Sequence, residues 1–195
     1  MRCRAMRLVS LLRTELITTL LLIFSSTGCV GKPTPFPGKQ TSLISPDKQR
    51  ELVNRDADND SGVVRLGGNH SLFLREAKTG METRIHTYNR HIEASWSPDG
   101  RFVAVTDFAA SDESVCFIYR VADGKLVRLT DALKEVLSGT DKLKNHHVYF
   151  RAETWQNGPI LKVKVSGFGD QDPKGFETWC LYDVARDQAT LLRSK

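Results

Sequence analysis

Histidine, cysteine and carboxylate side chains are where this chain could hold a metal, ionise a nucleophile or move a proton. The histidines are His70, His86, His91, His146 and His147, scattered along the sequence. His146 and His147 are adjacent, and neighbours on a strand point to opposite faces, which suits joint metal binding poorly. Asp170 and Asp172 could add carboxylates from a Gly-rich segment, yet no metal site is expected. Asp56, Asp58 and Asp60 look like the start of a calcium loop, but that loop needs Gly at its sixth place and Glu at its twelfth. Those places hold Ser61 and Gly67, so a solvated turn is expected. Ser95 and Ser97 lack the Gly-x-Ser-x-Gly setting of a nucleophile elbow. Glu113 and Glu177 read as structural. The expectation is no catalytic residue, no cofactor and no enzyme.

Cysteine is the exception. Of the four cysteines, Cys29 ends a leader with three parts. Arg2, Arg4, Arg7 and Arg13 make a positive start. Leu16 to Phe24 (LITTLLLIF) is apolar but far shorter than the ~20 residues that span a hydrocarbon core. Ser25 to Gly28 are small. A positive start, a short apolar stretch and a small-residue exit define an export signal, not a transmembrane helix. Cys116 and Cys180, the remaining pair once Cys3 leaves with the leader, are a candidate disulfide in an oxidising compartment.

Ser26-Thr27-Gly28-Cys29 resembles the bacterial lipobox, in which small residues precede a cysteine that is lipidated and becomes the mature N-terminus. Ser26 stands where the family usually has Leu. The resemblance implies a lipid anchor on Cys29, a cell-envelope location and, since Val30 rather than Asp comes next, the outer membrane facing the periplasm. Removing the four Arg and one Glu of residues 1–28 leaves 24 basic and 22 acidic residues, a net charge of +2. The high pI therefore belongs largely to the leader, and no nucleic-acid partner is expected.

These residues have to be positioned by the elements of the remaining chain. Residues 1–28 are expected as the signal, 29–46 as a lipidated Cys with a Pro-rich tether, and 47–195 as one domain. Gly31 to Pro46 holds four prolines and two glycines, which disfavour helix and central strand alike. A short helical turn is expected over Asp47 to Val53. From Val63 onward the pattern is β: Val63–Leu66, Ser71–Arg75, Glu82–Thr87, Ala94–Ser97, Arg101–Thr106, Ser114–Val121, Lys125–Leu129, His147–Ala152, Ile160–Ser166, Glu177–Val184 and Ala189–Leu192. Gly167 to Gly175 reads as a loop. One helix is expected, over Asp131 to Leu143, with Leu133, Val136 and Leu137 on one face and Gly139 limiting it.

The strands repeat. Phe73-Leu74-Arg75 through Gly80 aligns with Ile118-Tyr119-Arg120 through Gly124, and again with Leu181-Tyr182-Asp183. Trp96-Ser97-Pro98-Asp99-Gly100 matches Trp155-Gln156-Asn157-Gly158, and Glu113 to Cys116 matches Glu177 to Cys180. Gly80 and Gly124 lie 44 residues apart, near the ~40–45 of a four-stranded propeller blade. The phrase Ala94 to Val105 (ASWSPDGRFVAV) resembles the β-propeller repeats of the Tol-system periplasmic protein and its relatives. The likeness is good over Ile92 to Leu129 and loose over Val148 to Leu192. Closed propellers take four to eight blades, more than fit here. The expected fold is mainly β: antiparallel meander units resembling two to three blades with one short helix, an open twisted sheet or sandwich rather than a closed ring. Trp96, Trp155 and Trp179 are expected in its core.

Because such repeats are binding scaffolds in that family, the resemblance implies interaction rather than chemistry. The reading is a membrane-anchored envelope lipoprotein that binds a protein or envelope component. Its alternatives are a periplasmic ligand- or metal-binding enzyme using Gly167 to Gly175 with His146 and His147, and an inhibitor or immunity lipoprotein.

Overall fold

A computed structural model describes residues 32–39, 41–56, 69–127, 129–144 and 146–192. Cys29, the acidic turn beyond Asp56 and the strand expected at Val63–Leu66 lie outside the described residues. The described residues form three antiparallel sheets stacked in chain order. The first is the meander β2 (Ser42–Ile44), β3 (Arg50–Asp56), β4 (His70–Glu76) and β5 (Glu82–Tyr88). The second runs β6 (Ile92–Trp96), β7 (Phe102–Asp107), β8 (Val115–Arg120) and β9 (Leu126–Val127), and β1 (Thr34–Phe36) is added beside β6. The third is β10 (His147–Trp155), β11 (Ile160–Gly169), β12 (Asp172–Asp183) and β13 (Gln188–Leu192). The fold is mainly β, with three open blade-like units and no closed ring among them.

Two of these strands fall where a tether is expected from sequence. Phe36 pairs with Ile92 and is fully buried, so the Pro-rich segment enters the core before Pro46. The helical turn expected over 47–53 is also absent, because Arg50 begins β3. Its cause is a turn that repeats. Ser45-Pro46-Asp47-Lys48 and Ser97-Pro98-Asp99-Gly100 make the same hydrogen bonds. Ser45 Oγ donates to Asp47 Oδ1 (2.5 Å) and accepts from Arg50 N (2.9 Å). Ser97 Oγ donates to Asp99 Oδ1 (2.7 Å) and accepts from Phe102 N (2.9 Å). Each turn closes at a positive φ, 59° at Lys48 and 69° at Gly100, the region that favours Gly. The Ser45 hydroxyl, with backbone bonds, holds the Asp47 carboxyl below its ordinary range.

The middle sheet is buried on both sides. Val103 and Val105 of β7, with Ile92 of β6, face the first sheet and its Leu52, Leu72 and Tyr88. Ala104 and Ile118 face the third sheet with Phe150, Trp155, Val163 and Tyr182. Alternation along a strand sends successive residues to opposite faces, so β7 reads as one apolar run. The outer sheets have one core face each. On the first, Arg75 pairs with Glu51, and Arg55 pairs with Glu82 at 2.6 Å. On the third, Lys164 pairs with Glu177 at 2.6 Å and Lys162 sits 3.9 Å over the Trp179 ring. Charged side chains thus cover both ends of the stack. They also correct one expectation: Trp179 lies on this outer face, whereas Trp96 and Trp155 are buried.

The helix α1 spans Leu129–Leu137, starting before the expected Asp131 and ending before Gly139; a 3-10 turn comes next at Asp141–Leu143. Leu129, Leu133 and Leu137 enter the core between the second and third sheets. The segment Gly167 to Gly175 is a hairpin, not a loop: β11 runs to Gly169 and β12 starts at Asp172. Here glycine is obligatory. A Cβ on Gly175 (φ +62°) would lie 1.9 Å from the Gly167 carbonyl oxygen.

Cys116 and Cys180 are both buried free thiols. They stand on facing sheets, β8 and β12, and packed sheets lie about 10 Å apart. A disulfide needs Cα atoms within about 7 Å, so the candidate pairing is not made. Burial pushes the Cys116 thiol up to about 12 and Cys180 up to about 11, from 9.0. The folded state therefore favours both thiols, while the unfolded chain ionises them from about pH 9. Stability from this source is complete below pH 9.0 and falls as pH rises toward 11 and 12. The denaturation midpoint is expected to drop steadily above pH 9, and neither thiol is expected to react with a thiol reagent at neutral pH until the chain is unfolded. Rapid labelling of native protein at either position would contradict this.

Candidate functional site

Wide separation in sequence, closeness in space and burial single out one polar cluster. It lies between the first and second sheets. Leu72 pairs with His86 and His70 with Tyr88, so β4 and β5 present these rings side by side. Asn54 and Asp56 of β3 pair with Leu72 and His70, which brings them to the same face. Across the seam, β7 ends at Asp107 and β8 carries Tyr119.

His86 bridges the two sheets. Its Nε2 lies 2.8 Å from Asp107 Oδ2 and its Nδ1 lies 2.8 Å from the Tyr119 hydroxyl. The neutral tautomer with its proton on Nε2 satisfies both: Nε2–H donates to Asp107 and Nδ1 accepts from Tyr119. On the other side, His70 Nδ1 bonds Asp56 Oδ1, and the Tyr88 hydroxyl donates to Asn54 Oδ1 at 2.5 Å. Tyr88 lies between the two imidazoles, 5.0 Å from His70 and 6.3 Å from His86, stacked on both. Burial, then the Asp56 and Asp107 charges, drives the Tyr88 hydroxyl far above its ordinary pKa. Burial and Asp107 do the same to Tyr119. Both phenols stay protonated donors at any physiological pH.

Two atoms are left over. Among the described residues, Asp107 Oδ1 and His70 Nε2 are buried without a hydrogen-bond partner. Asp107 also lines a cavity of about 440 Å³, together with Asn69, Ser71, Arg84, Thr87 and Tyr88. The cavity gathers a carboxylate, a guanidinium and hydroxyls on one concave surface. The imidazole bridge has both nitrogens taken by protein groups, which leaves His86 no free atom with which to pass a proton to a substrate.

No family model and no curated protein matches this chain. Among solved structures it is similar to TolB from Acinetobacter baumannii, at 15% identity and a TM-score of 0.41, over 80% of this chain and 33% of that one. A second likeness is to a protein assigned as TolB from Agrobacterium tumefaciens, at 15% identity and a TM-score of 0.34, over 78% of this chain and 64% of the other. The chain thus spans a third of the first and under two thirds of the second.

The residues singled out by sequence have other places. His146 Nε2 lies 3.3 Å from Asp172 Oδ2, while exposed His147 faces Asp112 at 3.9 Å and the Phe168 ring. They border a second cavity of about 420 Å³ with Asp170. Among the described residues no three His, Cys, Asp or Glu side chains converge on one point. His91 stacks on Phe108 at 4.3 Å. Ser97 clamps its turn, and Ser95 Oγ accepts from Trp155 Nε1 at 3.2 Å. Trp96 does the corresponding thing one seam earlier, donating to the Leu43 carbonyl at 3.0 Å. Repeat matching pairs these two tryptophans. It misses His86 with Asp107, which are 21 residues apart on different sheets; no local spacing signals that contact.

Proposed function

We propose that this chain is a membrane-anchored envelope lipoprotein, lipidated on Cys29, whose blade-like domain is a non-catalytic binding module for a protein or another envelope component. One structural observation supports the binding half: a polar cavity of about 440 Å³ beside the first seam, lined by Asp107, Arg84, Asn69 and Ser71. A concave site with a few convergent polar groups is the usual place for a guest to be received. The leader and the lipobox-like Ser26-Thr27-Gly28-Cys29 support the anchoring half. Several acyl chains, at about 0.8 kcal/mol per buried CH₂, would hold the domain durably at a membrane.

Metabolic labelling with palmitate tests the anchor. Wild-type chain is expected to carry label and to sediment with membranes. Cys29→Ala is expected to lose both. Label retained in that variant, or an unlabelled wild-type chain found in the cytosol with residues 1–28 attached, would refute it.

A further inference from the structure

Resting on the lipidated Cys29 proposed above, we propose that the domain docks on the bilayer that holds this lipid, through the end of the stack where Ile44, Met81 and Leu126 are exposed. The first argument is the length of chain between anchor and fold. Lys32 and Pro33 lead directly into β1, whose Phe36 is fully buried. Three residue steps separate Cys29 from Lys32. At no more than ~3.6 Å each they reach about 11 Å. The headgroup layer takes up about 5–8 Å of that, so a domain held this way has no room to stand clear of the membrane. The second argument is where the chain enters. Thr34 pairs with Ala94 and Phe36 with Ile92, so β1 arrives from the side where β6 ends at Trp96 and turns. The turns of the first sheet lie on that side too. The Trp96 indole reaches the Leu43 carbonyl, and a Cβ on Gly100 would stand 3.5 Å from the Asp47 carboxyl carbon. Ala77 N donates to the Gln49 carbonyl at 2.8 Å, and Val121 N to the Arg101 carbonyl at 2.9 Å. The turns at 45–48, 77–80, 97–100 and 121–124 therefore share one end of the stack, and the lipid is attached on that side.

The third argument is the chemistry of that end. Four large apolar side chains are exposed among the described residues. Ile44 (62%), Met81 (64%) and Leu126 (39%) flank these turns, while Phe168 stands near the far end of β11. Scattered singly, such residues would need no explanation. Gathered at the end that carries the anchor, they match a bilayer surface. Lys48 and Lys78 belong to the same turns, are exposed and, among the described residues, have no ion-pair partner. The turn carboxylates are answered within the protein: Asp47 by Ser45, Asp99 by Arg101 and Asp123 by Arg120. Apolar side chains interspersed with free lysines settle at the headgroup boundary and attract anionic lipid. A short tether keeps this end beside the bilayer at a high effective concentration, so a small patch suffices.

Fluorescence of the full lipidated chain in vesicles of phosphatidylethanolamine and phosphatidylglycerol tests this. Cys116 and Cys180 are buried, so a thiol dye goes to an introduced cysteine. Met81→Cys puts the dye at the proposed contact. Asp170→Cys puts it beyond the far end of β11, about 30 Å along that strand. The dye at 81 is expected to be quenched by nitroxide-bearing lipid, and the dye at 170 is not. Adding Ile44→Glu to the Met81→Cys chain is expected to lower the ratio of docked to free domain by about tenfold or more, since it removes apolar area and brings a charge of the wrong sign. Position 44 is exposed, so the urea midpoint is expected to hold. Flotation with the vesicles reports the anchor separately. A chain that fails to float refutes the anchor and the docking together. A chain that floats overturns the docking alone if the dye at 81 is unquenched, if both dyes are quenched equally, or if Ile44→Glu changes nothing. A dye at 81 shielded from iodide in the water yet untouched by the lipid-borne quencher also overturns it, and assigns this end to a second copy or a protein partner.

Discussion

Trp155→Ala is expected to lower the unfolding free energy by about 3–5 kcal/mol, the usual cost of deleting a large buried aromatic. The residue is 1% exposed and sits where the middle and third sheets meet. Its ring lies 6.5 Å from Phe102, and its Nε1 donates to Ser95 Oγ of the neighbouring sheet. The side chain thus adds a directed bond to its buried area, and both cross from one sheet to the next. Trp155→Phe separates the two parts. It keeps most of the apolar contact and loses the N–H, so about 1–2 kcal/mol is expected, including the cost of leaving the Ser95 hydroxyl short of a partner. Urea denaturation monitored by circular dichroism measures both. A loss under about 1 kcal/mol for Trp155→Ala would mean that the third sheet is not packed on the second through this ring. Trp179→Ala is the control. That ring lies on the outer face beneath Lys162, half-buried, and little of the core depends on it.

That contrast shows what a single sequence can disclose. Repeat matching pairs Trp96 with Trp155 because each ends the first strand of a blade just before a turn. The structure gives them matching bonds back to the preceding sheet. Trp179 has the same composition signal but the opposite parity along β12, and parity becomes legible only once the register is known. The hairpins built on Pro98-Asp99-Gly100 and Asp123-Gly124 are readable because turn chemistry is local. The matching turn at Ser45-Pro46-Asp47 is hidden because Lys48 stands where its copy has Gly100. With that turn unrecognised, β2 and β3 read as a tether and a helical turn. Strands of three residues, such as β1 and β2, carry too little alternation to be seen at all. Cys116 and Cys180 do occupy matching repeat positions. Matching positions on facing sheets, however, are separated by the sheet spacing, which disfavours the bond they suggest.

The seam is the least legible part, and it carries the second large effect. His86→Phe is expected to destabilise the chain by about 3–5 kcal/mol, because it removes the hydrogen-bond donor to a buried carboxylate and leaves that charge uncompensated. Asp107 would then have both oxygens unpaired, and Tyr119, 6% exposed, would lose the acceptor for its hydroxyl. Shape alone would not predict this, since Phe fills the space of imidazole and adds apolar area. The decisive comparison is His86→Phe with Asp107→Leu in one chain. Removing both partners abolishes the uncompensated carboxylate, so most of the loss is expected to return; Tyr119→Phe on top should recover about another 1 kcal/mol. Pairwise coupling of that sign is what a direct contact produces and independent sites do not. If the single and double variants unfold at the same urea concentration, His86 and Asp107 are not partners. A stable double variant that no longer binds a ligand held by wild type would separate two roles at one position. Asp107 would then both hold the sheets together through Oδ2 and line the cavity, so its stabilising role could be taken over by apolar atoms and its role toward a guest could not.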